Sequence, residues 1–174
     1  MFFKGTDKRP DTLSLSAELD ALGGEYNAFT SKEYTGYYVK TAAGKLGQAL
    51  EILGDMLSNS KFDAVEIERE KGVIIEELNM YEDNPIMHVE DVLESCLYGD
   101  TPAGRDTIGT KKNIRAFKRS DFLRYFRRQY GAHSIFVILS GSIRPADKAA
   151  AAKIFGIFPI NTWRNKIAVK EKQE

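Results

Sequence analysis

The sequence predicts an α+β domain in which a mixed or antiparallel sheet carries helices mainly on one face. Segments with the apolar spacing of helices outnumber the strand-like runs, and two adjacent runs rich in Tyr, Phe, Thr and Val predict a β-hairpin. The chain has 174 residues, 43% of them hydrophobic, which suits one domain with a well-filled core. The strands are few for a closed sheet, so we expect sheet-forming sequence to be missing ahead of Met1.

The first half of the chain predicts a helix, a hairpin and two further helices. The first helix begins at Asp11 or Thr12, residue types that cap helices, and ends near Leu22 before a Gly-Gly pair. The hairpin consists of "EYNAFT" and "YTGYYVKTA", joined by "SKE". Apolar residues at helical spacing then predict helices over residues 45–57 and 63–81.

The second half predicts three more helices and one strand. The helices cover residues 86–97, 120–130 and 145–155, and a loop rich in Gly and Pro follows the first of them. The run "SIFVILSGS" predicts a buried strand because it is short and rich in branched apolar residues. The polar tail, about residues 163–174, is predicted to fray.

Composition gives limited information about the partners and the compartment of the chain. Lys plus Arg equals Asp plus Glu at 25 each, so the total charge indicates no particular partner. No apolar run approaches the roughly 18 residues that a membrane span needs, so we expect no membrane partner. The one cysteine, Cys96, has no internal disulfide partner, which fits a reducing compartment such as the cytoplasm or simply a chain without bridges. The compartment therefore stays open.

Residues 111–130 form a strongly basic stretch with eight Lys or Arg residues and one acid, Asp121. Interleaved aromatic residues make a nucleic-acid surface one interpretation. The aromatic residues recur at helical spacing, however, so the second interpretation is a core-facing stripe with a solvated basic face opposite. We favour the second interpretation and expect no nucleic-acid partner.

The helix over residues 63–81 carries the candidate chemistry. On a helical wheel one arc is apolar, and it contains Ile67, Ile74, Leu78 and Tyr81. Glu70 and Glu77 lie within this arc, two turns apart, whereas Glu76 points the opposite way. Either these are solvated glutamates of a charged helix, or some face an interior cleft. A buried carboxylate would need a metal, a cation or hydrogen bonds.

Several stretches in one order resemble the M16 (pitrilysin-type) zinc metallopeptidases, above all the mitochondrial processing peptidases and their bacterial insulinase-like relatives. They are "FFKGT-x-x-RP", "EYNAFTSKEYTGYY", "EIEREKGVIIEE", "GDTPAGRDTIGTKKNI" and "FLRYFRRQYGAHSIFVILSGSI". The resemblance covers nearly all of residues 1–174. It implies the metallohydrolase fold of processing peptidases, as a single N-terminal-type domain lacking its first strands and its zinc helix.

The resemblance also implies roles for two glutamates. In the family a His-x-x-Glu-His helix precedes a stretch like "MFFKGT"; both His residues bind zinc and the Glu is the general base. The third ligand, a Glu about 76 residues further on, corresponds to Glu77, and Glu76 would fit a spacing shorter by one residue. A supporting Glu seven residues earlier corresponds to Glu70.

This sequence contains no His-x-x-Glu-His, and its two His residues, His88 and His133, match no ligand position. Catalytic zinc sites have three protein ligands, so we expect this chain alone neither to bind zinc tightly nor to cleave peptides. It is then a fragment of a zinc-dependent metalloendopeptidase acting on peptides or unfolded segments. The alternative is a non-catalytic M16-like subunit or interaction module that pairs with an active partner.

The resemblance implies a substrate strand and partners as well. In the family the strand matching "EYNAFT" is a sheet edge to which the peptide substrate adds as an extra strand. The matching positions are Asn27, Ala28 and Thr30; without the resemblance they suit an ordinary hairpin strand. The family implies a second M16 domain or subunit, and an unpaired sheet edge predicts self-association.

Overall fold

The computed structural model describes residues 1–160, so the tail predicted to fray, residues 163–174, lies outside the described residues. Within residues 1–160 the chain forms seven α-helices and one antiparallel hairpin, in the order α1 (Thr12–Asp20), β1 (Glu25–Thr30), β2 (Thr35–Lys40), α2 (Leu46–Ser58), α3 (Ala64–Glu82), α4 (Pro85–Tyr98), α5 (Lys111–Ala116), α6 (Arg119–Gln129) and α7 (Pro145–Phe155). The α+β class with an antiparallel sheet is confirmed. No helix of this described part is both long and apolar enough to cross a bilayer.

The hairpin turns one face toward the helices. Tyr26 pairs with Val39 and Ala28 with Tyr37, which places these four side chains on one face because side chains alternate along a strand. Tyr26, Tyr37 and Val39 pack against the buried core, so the helices cover this face. The predicted hairpin is therefore confirmed in position and pairing.

The core lies between the hairpin, α1, α2 and the start of α3. Its buried members come mainly from helices, and include Leu15, Leu19, Ile52, Met56 and Ile67. Phe2, in a short helical turn at Phe2–Lys4, enters this core beside Tyr37 and Tyr130. The hydroxyls of Tyr37 and Tyr130 are hydrogen-bonded at 3.1 Å, and burial followed by this bond raises the pKa of Tyr37.

Arg9 is a charged residue inside this core, with 1% of its surface exposed. Its guanidinium donates to Glu18 Oε2 at 2.7 and 3.0 Å, to Asp55 Oδ2 at 2.6 Å and to Glu51 Oε2 at 2.5 Å. The Thr6 hydroxyl donates to the same Asp55 oxygen at 2.7 Å. This Arg9 network therefore ties the segment before α1 to both α1 and α2.

The prediction of a buried strand at "SIFVILSGS" was wrong. Residues 135–140 form neither strand nor helix, and Phe136 and Ile138 are 81% and 86% exposed. A strand is stabilised by hydrogen bonds to a neighbour, and in the described part of the chain neither β1 nor β2 pairs with this segment. The sequence reading also missed α5, which is six residues long.

Candidate functional site

Helix α3 presents the glutamates singled out by the sequence. Its N-terminus is capped by Asp63, whose carboxylate accepts from the N–H groups of Val65 and Glu66 at 2.9 and 3.1 Å. Ile67 and Leu78 are 1% and 4% exposed, so the predicted apolar arc does face the interior. This packing fixes the rotation of α3, and with it the directions of its glutamates.

Glu70 lies half-buried on α3 and is ion-paired with Lys4, Nζ to Oε2 at 2.9 Å. Lys4 ends the short helical turn Phe2–Lys4, after which Gly5 adopts a φ of 113°, a conformation that favours glycine. The Lys61 N–H donates to the Gly5 carbonyl at 3.1 Å and holds this turn in place. The structure thus brings the "MFFKGT" segment and Glu70 together. The role of Glu70 as support for a metal ligand remains a prediction.

Glu77 lies two turns further along α3 and is exposed. Within residues 1–160 its carboxylate has no hydrogen-bond or ion-pair partner. Its neighbour Glu76 is exposed too and accepts from Asn79 at 3.4 Å. Of the glutamates on this helix, Glu77 therefore has a carboxylate available to bind a group from outside, and its role as a ligand remains a prediction.

The residues that the structure describes do not fit a zinc site on their own. No group of three or more His, Cys, Asp or Glu side chains placed to hold a metal ion occurs among them. Glu70 already pairs with a lysine, which leaves a single available carboxylate on this face of α3. His88 and Asp91, the other pair on one helix face, lie on the half-buried side of α4. Burial, and after it the nearby carboxylate of Asp106, raises the pKa of Asp91 above its ordinary value. A zinc ion would need ligands from elsewhere.

The proposed substrate positions lie on β1, which pairs with β2 along one edge only within residues 1–160. Asn27 and Thr30 are exposed and Ala28 is half-buried. The Ala28 N–H donates to the Oδ1 atom of Asn27 at 2.8 Å. Because this N–H bonds to a side chain on its own strand, we place it on the edge of β1 that faces away from β2.

Sequence reasoning missed the residues that hold this region together. Lys32, in the hairpin turn, forms an ion pair with Glu94 of α4 and donates to the Ala103 carbonyl at 2.5 Å. Lys4 was also not identified as the partner of Glu70. The Lys4–Glu70 pair joins residues 66 positions apart, and long-range pairs of this kind leave no local spacing to detect in one sequence.

Comparison with solved structures defines the class of fold. The chain matches a protease from Helicobacter pylori with a TM-score of 0.88 and 21% identity, covering 98% of this chain and 42% of that one. It matches a peptidase M16 inactive domain from Pseudomonas fluorescens with a TM-score of 0.85 and 20% identity, covering 97% and 41%. At these identities the likeness shows the fold alone, which is that of an M16-type peptidase domain.

Sequence comparison defines the family. Residues 1–111 match the model of insulinase, peptidase family M16. The chain is 35% identical over 158 residues to YmxG, an uncharacterized zinc protease of Bacillus subtilis, covering 91% of this chain and 38% of that protein. It is 38% identical over 153 residues to the mitochondrial-processing peptidase subunit beta of Homo sapiens, covering 88% and 31%.

The chain therefore belongs to peptidase family M16, and the resemblance inferred from the sequence motifs is confirmed. Its relatives include proteins named as zinc proteases, so zinc belongs to the family. The chain spans about a third of the length of the curated relatives that it matches.

Proposed function

We propose that this chain is a peptide-binding part of an M16 peptidase that does not hydrolyse peptides by itself. The observation that carries the proposal is the edge of β1, where within residues 1–160 the Ala28 N–H donates only to the side chain of Asn27. An extended peptide that displaces the Asn27 amide would gain this N–H as a donor and continue the sheet as a third strand. The substrate class is thus an extended, unfolded peptide segment.

The side chains along β1 suit this role. Ala28 is small, so a peptide backbone can approach closely, and Thr30 is exposed two residues further along the same edge. Phe29 lies between them on the outer face, 51% exposed and in edge contact with Tyr34, where it offers an apolar surface beside the added strand. Main-chain hydrogen bonds would supply the affinity and these side chains the selectivity.

Hydrolysis would require two further zinc ligands and a general base, which the family carries on a His-x-x-Glu-His helix that this sequence does not contain. Glu77 is the residue of this chain that we propose as a contributor, because its carboxylate is exposed and unpaired within residues 1–160. Glu70 would act as a positioning residue, since its ion pair holds Lys4 and the first helical turn against α3. We also propose a second M16 domain as a partner, since the chain spans about a third of the length of the curated relatives that it matches.

Replacing Ala28 by Pro is expected to weaken binding of an extended peptide about tenfold, because proline removes the edge N–H and blocks an added strand. The probe is a short fluorescent peptide of alternating Val and Ser with a terminal Lys, followed by fluorescence anisotropy. Ala28→Ser keeps the N–H and the small size and is the matched control. Equal affinities of the Pro and Ser variants, with both hairpins intact by circular dichroism, would refute the edge as the binding site.

The isolated chain is expected to give no turnover of a quenched peptide, either with or without added zinc, because one exposed glutamate cannot hold the metal. The assay compares the wild-type chain with Glu77→Gln, and Glu76→Gln provides the matched control on the same helical turn. Zinc-dependent turnover that is lost in Glu77→Gln and kept in Glu76→Gln would show that the chain is a peptidase after all.

A further inference from the structure

Helix α4 exposes its apolar stripe to solvent and turns polar residues toward the rest of the domain. Four apolar side chains three or four residues apart point into solvent, with exposed fractions of 56–84%: Ile86, Val89, Leu93 and Leu97. None of its side chains is fully buried, and polar His88 and Asp91 lie on the half-buried side. A surface helix normally buries its apolar stripe, so this stripe indicates a surface that another molecule covers.

The stretch that contains this stripe is strongly acidic. Residues 72–104 include eight Asp or Glu and neither Lys nor Arg. Lys32 and Lys111 pair with two of these acids, Glu94 and Glu82, from outside the stretch. Glu90 is exposed beside the apolar stripe, and in the described part of the chain it has no ion-pair partner. The α4 surface, defined as the stripe with its flanking acids, thus combines apolar contact area with negative charge.

The complementary surface lies on α5 and α6 of the same chain. An open groove of about 420 Å³ lies between them, lined by Asn113, Ala116, Phe117, Asp121, Arg124, Tyr125 and Arg128. Phe117 and Tyr125 are 48% and 62% exposed. Arg124 and Arg128 line the groove together with Asp121. Exposed Lys112 and Arg127 lie on the same two helices outside that lining, and they have no ion-pair partner within residues 1–160. Residues 111–130 as a whole carry eight basic residues and one acid. This α5–α6 groove thus combines exposed aromatic rings with positive charge.

We infer that the α4 surface of one copy binds the α5–α6 groove of a second copy of this chain. The two surfaces are opposite in charge, and each has exposed apolar side chains at its centre. The whole chain has a formal net charge of zero, so two copies do not repel each other at long range. Contact would place Leu93 and Leu97 against Phe117 and Tyr125, and would set unpaired acids against unpaired bases.

A second copy of the chain would cover both the α4 surface and the α5–α6 groove, whereas a nucleic acid would cover only the groove. A phosphate backbone would bind the basic α5–α6 groove and would leave the acidic, apolar α4 surface uncovered. This contact is also independent of the β1 edge, because it uses neither the strand nor Glu77. The peptide-binding proposal and the self-association proposal can therefore fail separately.

A charge-swap experiment tests the contact. Asp83 is exposed at the C-terminal end of α3, three positions before Ile86, and is one of the flanking acids. One variant carries Asp83→Lys and Glu90→Lys, and the other carries Lys112→Glu and Arg127→Glu. In analytical ultracentrifugation at low salt the wild-type chain is expected to self-associate, each variant alone at least tenfold more weakly, and an equal mixture as strongly as wild type. Raising the salt concentration should dissociate the wild-type assembly, because the contact is between opposite charges.

Three results would overturn the inference, given variants that fold by circular dichroism. The first is a wild-type chain that stays monomeric at high concentration and low salt. A monomeric chain that binds a DNA or RNA oligonucleotide through the basic groove would count as this result. The second is a mixture of the two variants that fails to restore association. The third is association that Ala28→Pro abolishes and the charge variants leave unchanged, which would assign it to the sheet edge.

A crosslink gives the geometry independently. Cys96 is the one cysteine of the sequence, is exposed, and lies beside Leu97 on the outward side of α4. Introducing Ala116→Cys in the groove should yield, on mild oxidation, a covalent dimer in which peptide mapping joins position 96 of one copy to position 116 of the other. Dimers joined only through Cys96 to Cys96 would contradict the proposed pairing of surfaces.

Discussion

Replacing Arg9 by Met is expected to destabilise the fold by about 3–5 kcal/mol, one of the two largest effects predicted for a single substitution in this chain. The Arg9 side chain is almost fully buried and bonds to three carboxylates. Asp55 has only 9% of its side chain exposed, so without Arg9 it would be a nearly buried charge with no cation beside it. Chemical denaturation followed by circular dichroism measures the loss.

Lys8 provides the matched control because it pairs with Glu51 of the same network but has 61% of its side chain exposed. Lys8→Met should cost at most about 1 kcal/mol, as exposed ion pairs contribute little. Asp55→Asn combined with Arg9→Met should cost less than the sum of the two single substitutions, because the partners share one network. A loss for Arg9→Met no larger than that for Lys8→Met would show that the network is dispensable.

The pH dependence follows from the carboxylates around Arg9. Burial opposes ionisation of Asp55, yet hydrogen bonds from Thr6, Asn59 and Arg9 outweigh it and lower the pKa of Asp55 below its ordinary value. A lowered pKa stabilises the fold above the unfolded-state pKa, and this contribution is lost as the pH falls through the folded-state value. The difference in the free energy of unfolding between wild type and Arg9→Met should therefore be largest near neutral pH and should decrease below about pH 4.

The buried Arg9 illustrates what one sequence can reveal about a fold. Local spacing places Glu51 and Asp55 four residues apart on α2, on the same side of that helix. Glu18 lies on another helix, and its approach to the same guanidinium depends on how α1 packs against α2. Burial of an arginine is rare enough that only the assembled tertiary structure identifies it.

The same distinction separates the hairpin from the predicted strand at residues 134–142. Two neighbouring runs and a short turn specify the hairpin locally, so its prediction was confirmed. The run "SIFVILSGS" has equally strong strand composition, but a strand also needs a hydrogen-bonded neighbour, and within residues 1–160 no strand pairs with it. Helix α5 escaped prediction because six residues are too short to show helical periodicity.

At the candidate site the sequence predicted which side chains of α3 face the interior, but it did not predict their contacts. The helical wheel correctly placed Ile67 and Leu78 in the interior, and Glu70, between them, is half-buried. Glu77 lies just before Leu78 and is nevertheless exposed, because only part of the apolar arc is covered at that end of α3. How much of an arc is covered depends on the elements packed against it, which periodicity does not report.

Replacing Phe2 by Ala should produce the other large effect, a destabilisation of about 3–5 kcal/mol from the loss of a buried aromatic ring. Phe2 is 8% exposed and its ring contacts those of Tyr37, Phe62, Phe126 and Tyr130 at centroid distances of 5.0–5.9 Å. These partners come from β2, α6 and the segments that follow α2 and α6, so the cavity would open where several elements meet. Chemical denaturation measures the loss of stability. Phe136→Ala is the control, because Phe136 is 81% exposed and its replacement should change the free energy of unfolding by no more than about 0.5 kcal/mol.

The Phe2 substitution also tests whether the core holds the first helical turn against α3. If Phe2 holds that turn in place, the hydrogen bonds beyond it should open more often in Phe2→Ala. Amide exchange should then quicken at Lys61, whose N–H donates to the Gly5 carbonyl at 3.1 Å, and at Thr6, whose N–H donates to the Arg9 carbonyl at 2.6 Å. Unchanged exchange at both amides, beside a large global loss, would mean that the Arg9 network alone positions this segment. Lys4 would then owe its place beside Glu70 to charge pairing across the loop rather than to aromatic packing beneath it.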